Sequence, residues 1–214
     1  MAGKAVMAMF RFEEAQLVAE LDRLPLQLRV AFAAACAERL LPAYVAFSAQ
    51  TGRGNPAALR DILTRVWDDL CGNQMTDGEV QANIDTCMGL IPHEDEGPWV
   101  MEQAAAEDAG SALAYALRCR QNGQGQEAAW AARCAYEALD HHVINRDDVD
   151  MNVPGAEARV LADPLVQAEF GRQRQDLDEA LDAGNAEVRE AIARLRDRAK
   201  TEGATFFGDV ALPN

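Results

Sequence analysis

The sequence lacks closely spaced cysteines. Its five cysteines are Cys36, Cys71, Cys87, Cys119 and Cys134, and no two of them lie within four residues of each other. Zinc ribbons and dithiol redox sites need C-x-x-C pairs, so both are excluded. The cysteines lie in apolar helical contexts, where a free thiol behaves as a small hydrophobic side chain. An odd number of unpaired thiols is typical of a protein from a reducing compartment.

Basic residues are few. The 214 residues include 20 Lys plus Arg against 35 Asp plus Glu, so the formal net charge is −15. A surface of this sign repels polyanions over most approaches. We therefore expect neither a nucleic-acid partner nor binding to an anionic membrane.

The sequence also lacks a secretion signal and a long uncharged run. The short apolar stretch near the N-terminus is followed directly by Glu13 and Glu14, whereas a signal peptide needs a longer apolar segment and a cleavage site. The uncharged stretch 40–52 is too short to cross a bilayer. Together with the unpaired thiols, these absences predict a cytoplasmic protein.

No segment alternates with period two for more than a few residues, so no sheet is predicted. No internal repeat is evident, which disfavours a helical solenoid. All strong periodic signals have the helical period, and the 41 alanines favour helix. We therefore predict an all-α fold, a compact bundle of about seven or eight helices. Residues 1–214 should form one domain, with a flexible N-terminus at 1–10 and a C-terminal tail at 202–214 that docks through its phenylalanines.

The centre of the predicted bundle is the segment 26–49. It is apolar almost all round, as expected of a helix surrounded by others. Pro42 lies inside it and should kink or break the helix near residues 38–41. Capping residues, prolines and apolar spacing predict further helices over about 56–71, 76–90, 98–120, 126–144, 164–181 and 185–200.

A specific run of residues begins in the central helix and continues into the next one. It is Glu38-Arg39-x-x-Pro42-x-Tyr44-x-x-Phe47-x-x-x-Thr51-Gly52-x-Gly54, followed by Ile62-Leu63-x-x-Val66-Trp67. This run resembles the YjaG-like family, proteobacterial proteins assigned to a domain of unknown function. The similarity continues through Asp108 and the helix that starts at Asp163–Pro164, and so covers most of the chain. The resemblance implies a compact all-helical domain, and it supplies no activity.

Two charged residues, Glu38 and Arg39, interrupt the apolar central helix. A buried charge without a partner costs several kcal/mol, so each needs one. Adjacent helical residues point about 100° apart, which predicts partners on different neighbouring helices. Asp108 is the expected partner of Arg39, or a second carboxylate beside Glu38. Two interpretations remain open: a structural ion-pair network, or a ligand-binding pocket lined by Glu38, Arg39, Tyr44 and Asp108.

Three further residues are candidate metal ligands. Glu137 and His141 share a helix face at i, i+4 spacing, and His142 follows. The alternative is that the histidines only complement the dipole and free carbonyls of a helix end. The Glu-x-x-His signature of di-iron bundles is absent, and no serine or cysteine has the setting of a nucleophile. No cofactor is predicted.

Two functions from different classes remain. The first is a non-catalytic module that binds a protein partner or forms a homodimer, with the alanine-rich helix 98–120 offering a flat face. The second is a small-ligand-binding protein or metal-assisted enzyme that uses the polar residues around Glu38. The sequence favours the first, because it contains no catalytic motif.

Overall fold

The chain folds into helices connected by short loops. The computed structural model describes residues 9–93, 95, 97–98, 100–184 and 187–207. Within these residues there are nine helices and no strand, so the predicted all-α bundle is confirmed. The helices are α1 Glu14–Leu21, α2 Leu26–Thr51, α3 Pro56–Leu70, α4 Asp77–Leu90, α5 Gln103–Asn122, α6 Gly125–Arg146, α7 Ala156–Leu161, α8 Pro164–Asp182 and α9 Val188–Gly203.

Local capping interactions set several helix ends. The Asn55 side chain accepts a hydrogen bond from the backbone N–H of Ala58 at the start of α3. Thr76 and Glu79 form a reciprocal capping box at the start of α4. Gly52 ends α2 in the left-handed conformation, with φ 69°, which costs glycine little. The short α7 was not predicted, because no side chain caps its first turn.

Helix α2 lies at the centre of the bundle. It packs most extensively against α5, α9 and α6, and also contacts α3 and α8. Its length and composition would also suit a membrane span. The uncharged stretches of the sequence do not indicate this, because charged residues interrupt the helix. However, 89% of its most apolar window is buried inside the protein. This is what the core helix of a globular protein shows.

Pro42 does not end α2, which continues for nine further residues to Thr51. A proline has no N–H to donate, so the carbonyl oxygen of Glu38 loses its partner four residues ahead. Helix α9 approaches α2 at this point through Gly203. A Cβ on that glycine would lie 3.3 Å from the Glu38 carbonyl oxygen and 3.5 Å from the Arg39 Cα. The close approach therefore favours glycine, because a Cβ would fit only if the neighbouring backbone shifted by a few tenths of an ångström.

Helices α5 and α6 pack together through small side chains. Helix α5 begins at Gln103, five residues after the predicted start at Pro98. Most of its alanines are buried against neighbouring helices, for example Ala106 and Ala112, both 0% exposed. The flat alanine-rich face that the sequence predicted at the surface therefore lies inside the protein.

The chain ends pack on this bundle. The backbone N–H and carbonyl of Phe10 pair with the Gln167 side chain at 2.9 and 3.0 Å. Phe206 and Phe207 are buried, as predicted for a docking tail. Residues 202–203 belong to α9 rather than to the tail. Residues 1–8 of the predicted flexible N-terminus and 208–214 of the tail lie outside the described residues.

All five cysteines are free thiols. Four are buried, and burial raises the pKa of each; for Cys87 and Cys119 the pKa is about 12. Cys71 differs from the prediction of an apolar setting, because it follows the last residue of α3 and is exposed.

We expect Gly203→Leu to lower the free energy of unfolding by about 1–3 kcal/mol, because the added side chain has no room against the α2 backbone. The matched control is Gly171→Leu, within α8, where an added Cβ would meet nothing within 4 Å. Chemical denaturation of both variants measures the difference. Equal stability of the two would show that α9 does not need its close approach to α2.

Candidate functional site

Arg39 lies at the centre of a buried ion-pair network. It is 0% exposed and extends from α2 toward α8 and α9. Its Nη1 donates to Asp176 Oδ2 at 2.8 Å and to Glu202 Oε2 at 3.3 Å. Its Nη2 donates to Glu169 Oε1 at 3.1 Å. One guanidinium thus joins three helices.

The electrostatics of this network favour charged groups. Burial alone would lower the pKa of Arg39, but Glu169 and Asp176 hold that pKa well above its usual value. Arg198 of α9 adds a second cation, with its Nε 3.0 Å from Asp176 Oδ1. Because the cations and carboxylates bind one another, the arrangement is typical of a structural network rather than of an open binding site.

Glu38 points to a different neighbour. Its carboxylate accepts hydrogen bonds from Trp67 Nε1 of α3 at 3.0 Å and from Arg60 of the same helix. The prediction that adjacent charges would find partners on different helices is therefore confirmed. The Tyr44 hydroxyl lies elsewhere again, where it donates to the carbonyl of Leu90 at 2.7 Å at the end of α4.

Asp108 does not pair with Arg39, contrary to expectation. It lies on α5 and faces α6, where the Cys134 thiol donates a hydrogen bond to its carboxylate. Burial, with the nearby charge of Glu137, raises the pKa of Asp108 to about 8. Each of the four predicted pocket residues thus contacts a different part of the protein, because the crossing of the helices rather than the sequence pattern decides their neighbours.

The three candidate metal ligands lie near the end of α6. Glu137 accepts a hydrogen bond from Arg133 Nε at 2.7 Å, one turn earlier in the helix. Among the described residues, no group of three or more His, Cys, Asp or Glu side chains is arranged to hold a metal ion. His141 and His142 instead line a pocket.

This pocket is lined by α2, the start of α5, the last turns of α6 and Phe207, and we call it the α6-end pocket. Its volume is about 130 Å³. The apolar part of its wall is formed by four alanines, one methionine and one aromatic ring: Ala43 from α2, Ala104 and Ala105 from α5, Ala138 from α6, Met101 before α5, and Phe207 after α9. Glu102, His141, His142 and Arg146 add polar groups.

Two polar atoms at the α6-end pocket are buried and have no hydrogen-bond partner within the described part of the chain. They are Oε2 of Glu102 and Nε2 of His142. Nine buried side-chain atoms in the described part of the chain lack a hydrogen-bond partner, and these two belong to residues that line the α6-end pocket. Arg146 does not serve them, since it binds Asp147 and Asp163 at 2.9 and 2.8 Å.

The surroundings of His142 favour its neutral form. Burial and the positive charge of Arg146 lower the pKa of the imidazole, although the charges of Asp163, Glu102 and Asp147 oppose this effect. The ring packs on Phe207 with 5.1 Å between the ring centres. A neutral imidazole beside a carboxylate can accept a hydrogen bond from a bound molecule or donate one to it.

Sequence reasoning found His142 but assigned it to a metal, and it missed Glu102 and the alanine wall. Glu102 was placed inside a helix predicted to start at residue 98, whereas it is the residue that precedes the first turn of α5. The sequence does contain the alanines of the wall, which lie on three helices. They predict a pocket only once it is known how those helices cross.

The sequence comparison decides the family. Residues 16–208 match the family described as a protein of unknown function, DUF416. The chain belongs to the DUF416 family. A crystal structure of a DUF416 family protein from Shewanella baltica OS155 superposes with a TM-score of 0.75 at 20% sequence identity. The alignment covers 89% of this chain and 96% of that one.

The two DUF416 structures share a fold, and at this identity the likeness shows no more than that. No curated protein sequence matches the chain. The prediction of a domain of unknown function is confirmed. The narrower resemblance to the YjaG-like proteins stays a prediction.

We expect Arg39→Met to lower the free energy of unfolding by about 3–5 kcal/mol, because Asp176 and Glu169 would stay buried without their shared cation. The control Arg194→Met removes a pair between Glu179 and an arginine that is 54% exposed, and should cost less than about 1 kcal/mol. Urea denaturation compares the two. A loss for Arg39→Met as small as for the control would contradict the network.

Asp108 should make the stability depend on pH. An aspartate in the unfolded chain releases its proton near its ordinary pKa of 3.8, whereas the raised pKa of folded Asp108 keeps the proton bound up to about pH 8. Between these values the folded state binds one more proton, so the free energy of unfolding falls as the pH rises. Asp108→Asn stays neutral throughout and removes this contribution.

We therefore expect the difference in the free energy of unfolding between Asp108→Asn and the natural protein to change with pH. It should shift in favour of the variant by about 1 kcal/mol or more from about pH 5 to about pH 8. Urea midpoints at both pH values measure this gain. Asp85→Asn, on the exposed face of α4, should show no comparable change. A constant difference between Asp108→Asn and the natural protein at both pH values would disprove the shift.

Proposed function

We propose that this DUF416 protein binds a small organic molecule in the α6-end pocket. One observation carries the proposal: a mostly apolar pocket adjoins two buried polar atoms, Glu102 Oε2 and His142 Nε2, that lack partners among the described residues. Ligand pockets typically combine an apolar wall with a few polar groups that orient the ligand. No residue in the described part of the chain forms a hydrogen bond with either atom.

The size of the pocket limits the ligand. Its volume is about 130 Å³. An engineered apolar cavity of about 150 Å³ in another protein binds benzene. The expected ligand is therefore a molecule with roughly one ring or a short branched chain.

The energetics favour a ligand with a polar end. A buried polar atom without a hydrogen bond costs about 1–3 kcal/mol. A ligand that pairs with Glu102 and His142 removes this cost, and its apolar part gains contact with Ala105, Ala138 and Phe207.

The buried alanines of α5 do not offer the flat surface face that was expected of a protein-interaction module. A protein partner, a homodimer and a cytoplasmic location stay predictions. The hypothesis of ligand binding is retained, but the proposed site is the α6-end pocket instead of the residues around Glu38.

Titration of the full-length protein with toluene, benzyl alcohol and benzylamine tests this function. NMR of isotope-labelled alanine methyl groups should show saturable shifts at Ala43, Ala105 and Ala138 with at least one probe. Ala104→Leu should abolish these shifts, because the larger side chain fills part of the pocket. Ala82→Leu, on the exposed side of α4, should leave them unchanged.

Two outcomes would overturn the proposed function. One is the absence of saturable shifts with all three probes. The other is undiminished binding by Ala104→Leu, which would locate the probes elsewhere on the protein.

A further inference from the structure

We propose that the ligand of the α6-end pocket is a small monocation, a primary amine with an apolar body, whose ammonium group binds Glu102. This inference rests on the proposed function and adds the chemical class of the ligand. Three features of the pocket support it: the surrounding charges, the state of His142 and the shape of the wall.

The charges around the pocket do not balance. Three carboxylates lie at or near its polar side, those of Glu102, Asp147 and Asp163. Arg146 in the pocket wall is bound by the two aspartates, and Arg159 also lies 3.7 Å from Asp147. No cation of the described residues forms an ion pair with Glu102, and a cationic ligand would supply one.

An ammonium group suits this carboxylate better than a neutral donor. Hydrogen bonds between an ionised donor and an ionised acceptor are shorter and about twice as strong as those between neutral groups. These hydrogen bonds become stronger still in a site from which water is partly excluded. A ligand carboxylate would instead meet Glu102 as a like charge, so an anion is disfavoured.

His142 is compatible with a cation beside it. Because burial and Arg146 favour the neutral imidazole, His142 adds no positive charge to that of Arg146, and Asp147 and Asp163 offset the charge of Arg146. Its Nε2 can accept one of the three N–H donors of a primary amine while Glu102 Oε2 accepts another. A primary amine thus has enough donors for both orphan atoms.

The apolar wall sets the rest of the ligand. Ala43, Ala104 and Ala138 offer methyl groups, and Phe207 offers a ring. The net charge of −15 also raises the local concentration of cations around the whole protein. A single ring or short branched chain that carries an amine fits both ends of the pocket.

The experiment compares benzylamine, benzyl alcohol and toluene, which share a ring and differ in the polar end. We expect benzylamine to bind at least about tenfold more tightly than benzyl alcohol to the natural protein. Glu102→Gln should lower the affinity for benzylamine by about tenfold and change that for toluene by less than about twofold. The control Glu107→Gln makes the same change in net charge on α5, outside the pocket wall, and should leave the benzylamine affinity unchanged.

The outcomes separate this inference from the function beneath it. Failure of all three probes to bind overturns both. Neutral probes that bind as tightly as benzylamine overturn only the inference. So does an equal loss of benzylamine affinity in Glu107→Gln and Glu102→Gln, which would indicate general surface attraction. If Glu102→Gln does not fold, the probe series on the natural protein decides, since the preference for the amine does not depend on the variant.

Discussion

The burial of the Arg39 guanidinium is the constraint on which the C-terminal half of the fold depends. A cation with no exposed surface must be matched by carboxylates, and Asp176, Glu169 and Glu202 come from two helices far along the chain. Helices α8 and α9 are therefore held on α2 in one register. Directional hydrogen bonds fix that register more strictly than apolar contacts would, because apolar surfaces can slide.

The opposite side of α2 is packed by a different principle. Here α5 and α6 approach through alanines, and short side chains allow close contact without requiring one interlocking arrangement. At the start of α5 and the end of α6 the same short side chains leave a space, which is the α6-end pocket. The alanine content that favours helix thus also leaves the space in which a ligand would lie.

The sequence predicted those features that depend on neighbours within one turn. The caps at Asn55 and Thr76 act over three residues, so the starts of α3 and α4 were visible in the sequence. The partners of Glu38 and Arg39 were predicted correctly as lying on different helices, but the expected partner of Arg39, Asp108, was wrong. That Asp176 rather than Asp108 meets Arg39 depends on how α8 crosses α2, and no local pattern contains that information. Glu102 was missed for a local reason, because the start of α5 was placed five residues too early.

The contrast between the five cysteines has a practical consequence. Four are buried thiols that burial keeps protonated, whereas Cys71 is exposed at the end of α3. A thiol-directed fluorophore would therefore attach at one position in the folded protein, without any engineered cysteine. Unfolding would open the other four positions to the same reagent, so the extent of labelling itself would report the folded fraction.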